Sequence, residues 1–253
     1  MEHMGGLTGL LPLALVCLIV GVLIGCIGIG GVALVPALTY IGGMEVKVAI
    51  ATCMFSYLFS GTVGALEYAR RGSIRWSLSG WLCAGAMPGA FLGSVTASLV
   101  PGVHLEILIA MLVVLSGANA LLQPADSAVA RLPGGPTLCA IGAIVGYGSA
   151  MSGTGGPLLL VPILVWLKVP LLAAVGLSQV IQLPVAALAT AGNLAYGEVN
   201  FAVGLGIAVL LMGGVAVGAR AAHWIPANVL RRIVALVLLA VGVLILARLS
   251  MGR

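Results

Sequence analysis

The chain has 253 residues, of which 62% are hydrophobic and 7% charged, with a formal net charge of +5 and a mean hydropathy of +1.26. A soluble domain carries about 25% charged residues, so this composition excludes a water-soluble globule and calls for lipid around most of the surface. The positive charge sits mostly at the ends of apolar runs, which points to membrane topology and lipid head groups and away from nucleic acid.

Taken in chain order, the first apolar run, 7–27, is long enough to span a bilayer. It lacks a basic leader and reads on into the next motif, so it is read as a span and not as a cleaved signal peptide. It ends at Gly28-Ile29-Gly30-Gly31, and a short run, 32–43, follows with Pro36 inside it. Spanning runs are predicted at 48–69, 77–100 and 103–122. A polar, turn-rich stretch then carries Pro124, Asp126, Arg131, Pro133, Gly134 and Gly135. The next run, 136–152, is the shortest and is rich in glycine. It ends at Gly153-Thr154-Gly155-Gly156, followed by a second short run, 157–168, with Pro162 inside it. The last predicted spans are 173–195, 200–223 and 227–249.

This order repeats. The glycine motifs are offset by 125 residues and the prolines by 126. Thr52 matches Ser178, Gly72 matches Gly197, Gly89 matches Gly214 and Pro101 matches Pro226. Leu105 and Gly117 match Leu230 and Gly242 in the same way. The chain is therefore read as one transmembrane domain, 1–253, in two halves. Residues 1–123 form the first repeat, 124–135 the linker and 136–253 the second repeat. The expected fold class is all-α: a polytopic integral membrane protein with two inverted-topology repeats. Each repeat has a Gly-broken helix, a short half-helix and three further spans.

Basic residues set the expected orientation, because they favour the cytoplasmic side. If each long–short pair enters and returns on one side, Arg70, Arg71, Arg75, Arg131, Lys168, Arg220, Arg231 and Arg232 share one face. Lys47, Arg248 and Arg253 fall on the other, a division of 8 against 3. Equivalent turns of the two halves then lie on opposite sides, as inversion requires. The expected location is the bacterial inner membrane, with several passes.

A Gly-broken segment has a chemical consequence. Backbone that is not helical survives at membrane depth only inside protein or beside a water-filled cavity. The short helix after each break begins with unpaired N–H groups and the positive end of a dipole. Two such ends brought together can hold an anion without a charged side chain. Gly28, Gly30, Gly31, Gly153, Thr154, Gly155 and Gly156 are therefore candidate substrate-binding residues. Tight packing of small residues is the structural alternative.

Polar side chains follow each break in the third segment of each half. Half one has Thr52, Cys53, Ser56 and Ser60; half two has Ser178, Gln179 and Gln182, then Thr190 and Asn193. Thr52 and Ser56 share a helix face by their spacing, as do Ser178 and Gln182. Hydroxyls and amides can donate to anionic oxygens without a buried cation. Thr52, Cys53, Ser56, Ser178, Gln179 and Gln182 complete the candidate substrate site, with interhelical hydrogen bonding as the alternative role.

Other features read as structural. Gly85, Gly89 and Gly93 form overlapping GxxxG spacings, echoed by Gly214 and Gly218, which suit close packing within the chain or in a homodimer. Trp76, Trp81 and Trp224 suit the membrane interfaces. Glu67 stands three residues before Arg70, the spacing of an interfacial ion pair on one helix. His3, His104 and His223 lie near predicted ends and read as non-ligands. Cys17, Cys26, Cys53, Cys83 and Cys139 lie in apolar runs without a CxxC pair and read as small buried residues. No Ser–His or paired-acid constellation lies at membrane depth, so no catalytic residue, metal or cofactor is expected.

The combination GIGGVALVP, AIATCMFS and EYARRGSIRW, repeated loosely as GTGGPLLLVP, VGLSQVIQ and NLAYGEVNF, resembles the sulfite exporter TauE/SafE family. That family is also called the 4-toluene sulfonate uptake permease family. The resemblance covers nearly the whole chain. It implies a membrane transporter, not an enzyme, for sulfur-containing anions such as sulfite, sulfoacetate and other organosulfonates, moved in either direction. The family's usual Thr-Ser pair stands here as Thr52-Cys53, with Ser178-Gln179 as its counterpart. Another small carboxylate or inorganic anion, or an anion channel, is the alternative reading.

Overall fold

A computed structural model describes residues 7–122 and 134–226, together with Val229, Arg232, Leu236 and Val243. Its helices are α1 (Leu7–Ile27), α2 (Leu34–Tyr40), α3 (Val46–Arg70), α4 (Trp76–Leu99) and α5 (Gly102–Leu122). They continue with α6 (Gly135–Ser152), α7 (Pro157–Trp166), α8 (Leu171–Tyr196) and α9 (Phe201–Ala221). A 3₁₀ turn, Gly31–Ala33, leads into α2. The helix limits fall within three residues of the apolar runs. That agreement follows from the bilayer, whose thickness sets the length of an apolar helix. Among the described residues there is no strand. Most of the predicted span 227–249 and of the linker lies outside the described residues, as do His3, Arg131, Arg231, Arg248 and Arg253.

Helix α3 and helix α8, the third segments of the two halves, pack antiparallel at the centre. Gly61 faces Gln182, and Gly64 faces Gln179 one turn further along. Helix α1 runs parallel to α9: Gly21 lies on Leu211 and Gly214, and Gly25 on Val215 and Ala219. Helix α4 runs parallel to α6, with Gly85 on Cys139, Gly89 on Ala143 and Gly93 on Tyr147. A Cβ at any of these three glycines would overlap the carbonyl of its partner residue. In lipid there is little hydrophobic force between helices, so close backbone approach through small residues supplies the attraction. The GxxxG spacings thus serve packing within the chain.

The same registers fix the direction of the remaining helices. Helix α9 runs with α3, since Thr52 meets Asn200 and Ser56 meets Gly204. Helix α8 runs with α4, since Gly176 meets Ile74 and Gly192 meets Ser94. Helices α1, α3 and α9 therefore point one way, and α4, α6 and α8 the other. Helices α3, α4, α8 and α9 are each long and apolar enough to cross a bilayer.

These directions give the bundle two unlike ends. Arg70, Arg71, Arg75, Lys168 and Arg220 gather at one end, with all four tryptophans, Trp76, Trp81, Trp166 and Trp224. We call this the basic end. Lys47 stands at the other end among Glu45, Glu106 and Glu198; we call this the acidic end. At the basic end Glu67 pairs with Arg220 at 2.9 Å. This corrects the expected pairing with Arg70. The parallel course of α9 brings a guanidinium from another helix to Glu67, which local spacing along α3 does not reveal. His223 lies against Tyr68, ring centroids 5.5 Å apart, and beside Ser73.

Candidate functional site

The two glycine breaks approach from opposite ends and meet. Helix α1 starts at the acidic end, turns at Gly28–Gly31, and α2 returns to the acidic end at Tyr40. Helix α6 starts at the basic end, turns at Gly153–Gly156, and α7 returns to Trp166. A Cβ on Gly31 would stand 2.8 Å from the Thr154 carbonyl oxygen and 2.8 Å from the Tyr57 hydroxyl. A Cβ on Gly155 would stand 2.8 Å from the Tyr57 ring. Tyr57, near the middle of α3, therefore fills the junction between the breaks, and its hydroxyl donates to the Gly31 carbonyl at 2.8 Å.

Each break also packs on the other half. Gly28 lies against Pro157, Val161 and Ser178; Gly153 lies against Val35 and Ile50. Backbone geometry explains the glycines differently in the two breaks. Gly28 has φ +78°, while Gly153, Gly155 and Gly156 have φ +70°, +79° and +114°, conformations that other residues adopt only under strain. Gly30 and Gly31 have no such φ and are needed for close approach instead. Among the described residues, the N–H groups of Gly30, Gly31, Gly155 and Gly156 have no carbonyl partner. The first turn of α7 also begins with Pro157, which has no N–H to offer.

All thirteen predicted site residues are buried, but they do not form one cluster. On α8, Ser178 reaches Gly28. Gln179 donates to the Ile24 carbonyl at 2.9 Å, and its Oε1 is buried without a partner. Gln182 donates to the Ser60 hydroxyl at 3.1 Å and to the Tyr57 carbonyl at 3.3 Å. These amides tie α8 to α1 and α3 around the breaks. On α3 the geometry differs. Thr52 accepts from the Asn200 N–H, and Ser56 donates to the carbonyls of Thr52 and Gly204. Both lie on the seam with α9, and their hydroxyls are used there. Cys53 is fully buried.

Tyr57 is the residue that sequence reasoning passed over. A phenol at mid-span must find a partner for its hydroxyl, and that signal was present in the run Met54-Phe55-Ser56-Tyr57. The residues these contacts bring together, Gly31, Tyr57, Thr154 and Gly155, carry no charge, so they offer only backbone and neutral side-chain donors to an anion. Among the described residues, no group of side chains could hold a metal ion.

The family described as Sulfite exporter TauE/SafE matches residues 13–245 of this chain. The chain is 25% identical over 240 residues to "Probable membrane transporter protein YdhB" of Bacillus subtilis (strain 168), covering 92% of this chain and 98% of that protein. No solved structure matches the chain. The apolar helices, the broken segments and the full-length match agree: this is a multi-pass membrane transporter, and it belongs to the sulfite exporter TauE/SafE family.

Proposed function

We propose that the chain carries sulfur-containing anions, such as sulfite or organosulfonates, by alternating access at a central site between two inverted repeats. One observation carries the reading: Gly31 of the first break meets Thr154 of the second beside Tyr57. The N–H groups of Gly30, Gly31, Gly155 and Gly156, unpaired among the described residues, lie close to this junction at the starts of two opposed half-helices, which favours negative charge. A sulfonate or sulfite group presents several anionic oxygens in a compact head, and backbone N–H groups can hold such oxygens without a buried cation. Gln179 and Gln182 add amide groups close by, and Ser178 a hydroxyl that here donates to the Val175 carbonyl at 2.7 Å.

The inverted arrangement is supported by the antiparallel packing of α3 on α8. Equivalent helices related by an axis along the membrane normal would run parallel; an axis in the membrane plane reverses them. The clustering of basic residues favours the basic end as the cytoplasmic face of the inner membrane. Both breaks seal against the opposite half, so a substrate leaves or enters only when the halves shift.

Flux in proteoliposomes tests this reading. Saturable uptake of sulfite or a C2–C3 sulfonate, with counterflow and weaker transport of acetate, is the expected result. Gly31→Leu and Gly156→Leu abolish it in protein that still folds. Wild-type flux in both folded variants overturns the site; flux without saturation or counterflow identifies a channel instead.

A further inference from the structure

A second polar space lies outside the junction. At the acidic end a cavity of about 230 Å³ opens between α3, α4 and α8. Lys47, Ser98, Asn193 and Glu198 supply its polar groups, and Ile50 and Ala51 form part of its apolar wall. The Lys47 ammonium donates to the Ser98 carbonyl at 2.8 Å, which bridges α3 to α4 and leaves two N–H donors. Asn193 is 5% exposed, and its Nδ2 has no hydrogen-bond partner. A buried amide N–H₂ without a partner is costly unless something else occupies the space. Glu198, at the exposed rim, forms no ion pair with Lys47 among the described residues.

The two ends of the bundle differ here in an informative way. The 126-residue offset that relates Thr52 to Ser178 also relates Glu67 to Asn193. At the basic end Glu67 is closed over by Arg220 at 2.9 Å. At the acidic end Asn193 stands in a cavity instead. One residue separates that cavity from the second break: Ile50 lines it, and the Ile50 Cα lies 3.2 Å from the position of a Cβ on Gly153.

We propose that this cavity is an entry site for the transported anion on the acidic face, where Lys47 and Asn193 hold its oxygens before it passes Ile50 to the junction. This rests on the transport reading above and adds a second, earlier position for the same substrate. Lys47 acts at contact range, where the two N–H donors left after its bond to Ser98 reach anionic oxygens. The Asn193 amide supplies a directed donor deeper in. Glu198 at the rim repels dianions more than monoanions, so the site favours a singly charged sulfonate head.

Oriented proteoliposomes test this with isethionate as the probe. Lys47→Gln and Asn193→Leu each raise the half-saturating concentration for entry from the acidic face about tenfold. Both leave entry from the basic face within about twofold, and Lys47→Arg restores most of the loss. As a measurement independent of transport, Ser98→Cys reacts with a membrane-impermeant maleimide from the acidic face. Isethionate slows that reaction several-fold, and it does so less in the Lys47→Gln background. Unchanged entry in both variants, or labelling indifferent to isethionate while wild-type flux is intact, overturns the entry site and leaves the junction standing. Absence of wild-type flux for isethionate and for sulfite alike overturns the reading of sulfur-anion transport itself.

Discussion

The Tyr57 hydroxyl donates to the carbonyl of Gly31 across 2.8 Å, and both residues are buried. This one bond joins the middle of α3 to the first glycine break, and the same ring covers Gly155 of the second. Tyr57→Phe keeps the ring and removes the bond. The expected result is a loss of about 0.5–1.5 kcal/mol, the net worth of one hydrogen bond, because the Gly31 carbonyl keeps the Leu34 N–H as a partner, together with slower flux. Thermal unfolding in detergent and proteoliposome flux measure the two effects; a Tyr57→Phe protein equal to wild type in both overturns the role.

The α4–α6 seam depends on the absence of side chains at Gly85 and Gly89. A methyl group at either would overlap a carbonyl of α6. Gly85→Ala and Gly89→Ala are therefore expected to destabilise by about 1–3 kcal/mol, the range for overpacking a tight interface. Gly80→Ala and Gly213→Ala, where a new Cβ meets nothing within 4 Å, are expected to be neutral or slightly stabilising. Melting temperatures of the four variants check the contrast.

Glu67 and Arg220 form an ion pair in which the glutamate side chain is 10% exposed and the arginine 61%, so water screens the pair through the guanidinium. Exposed pairs contribute only about 0–1 kcal/mol. A double-mutant cycle of Glu67→Gln and Arg220→Gln is expected to return a coupling in that range, smaller at high salt. A coupling of several kcal/mol would show that the pair is shielded from water in a way its exposure contradicts.

Arg75 precedes α4 at the basic end, and Glu198 follows α8 at the acidic end. Because α4 and α8 run parallel, these positions lie at opposite faces of the bundle. Arg75→Cys and Glu198→Cys are expected to react with an impermeant maleimide from opposite sides of membrane vesicles. Labelling of both from one side would require a different membrane orientation for α4 or α8.

Much of this architecture is written locally in the chain. Apolar runs of bilayer length became helices because backbone groups in lipid must pair within their own segment. The doubled glycine–proline pattern located both breaks, since only such residues interrupt a helix at depth and restart it. The rotation of each helix was not legible in the same way. In a soluble protein, polar residues mark the outer face; in lipid, the outside is as apolar as the core, so Leu and Val carry no directional signal. Thr52 and Ser56 could therefore be grouped with the breaks by spacing alone, whereas the tertiary structure turns them to α9. Ser178, Gln179 and Gln182, matched to them by repeat position, do stand near the breaks and α1. Glu67 found Arg220 rather than Arg70 for a related reason: pairing across helices depends on their relative direction, and only packing sets that. The sequence by itself determined the class, the described spans and the two breaks. The tertiary structure decided that the breaks meet at Gly31 and Thr154 and that Tyr57 fills the space between them, because those contacts join residues more than a hundred positions apart.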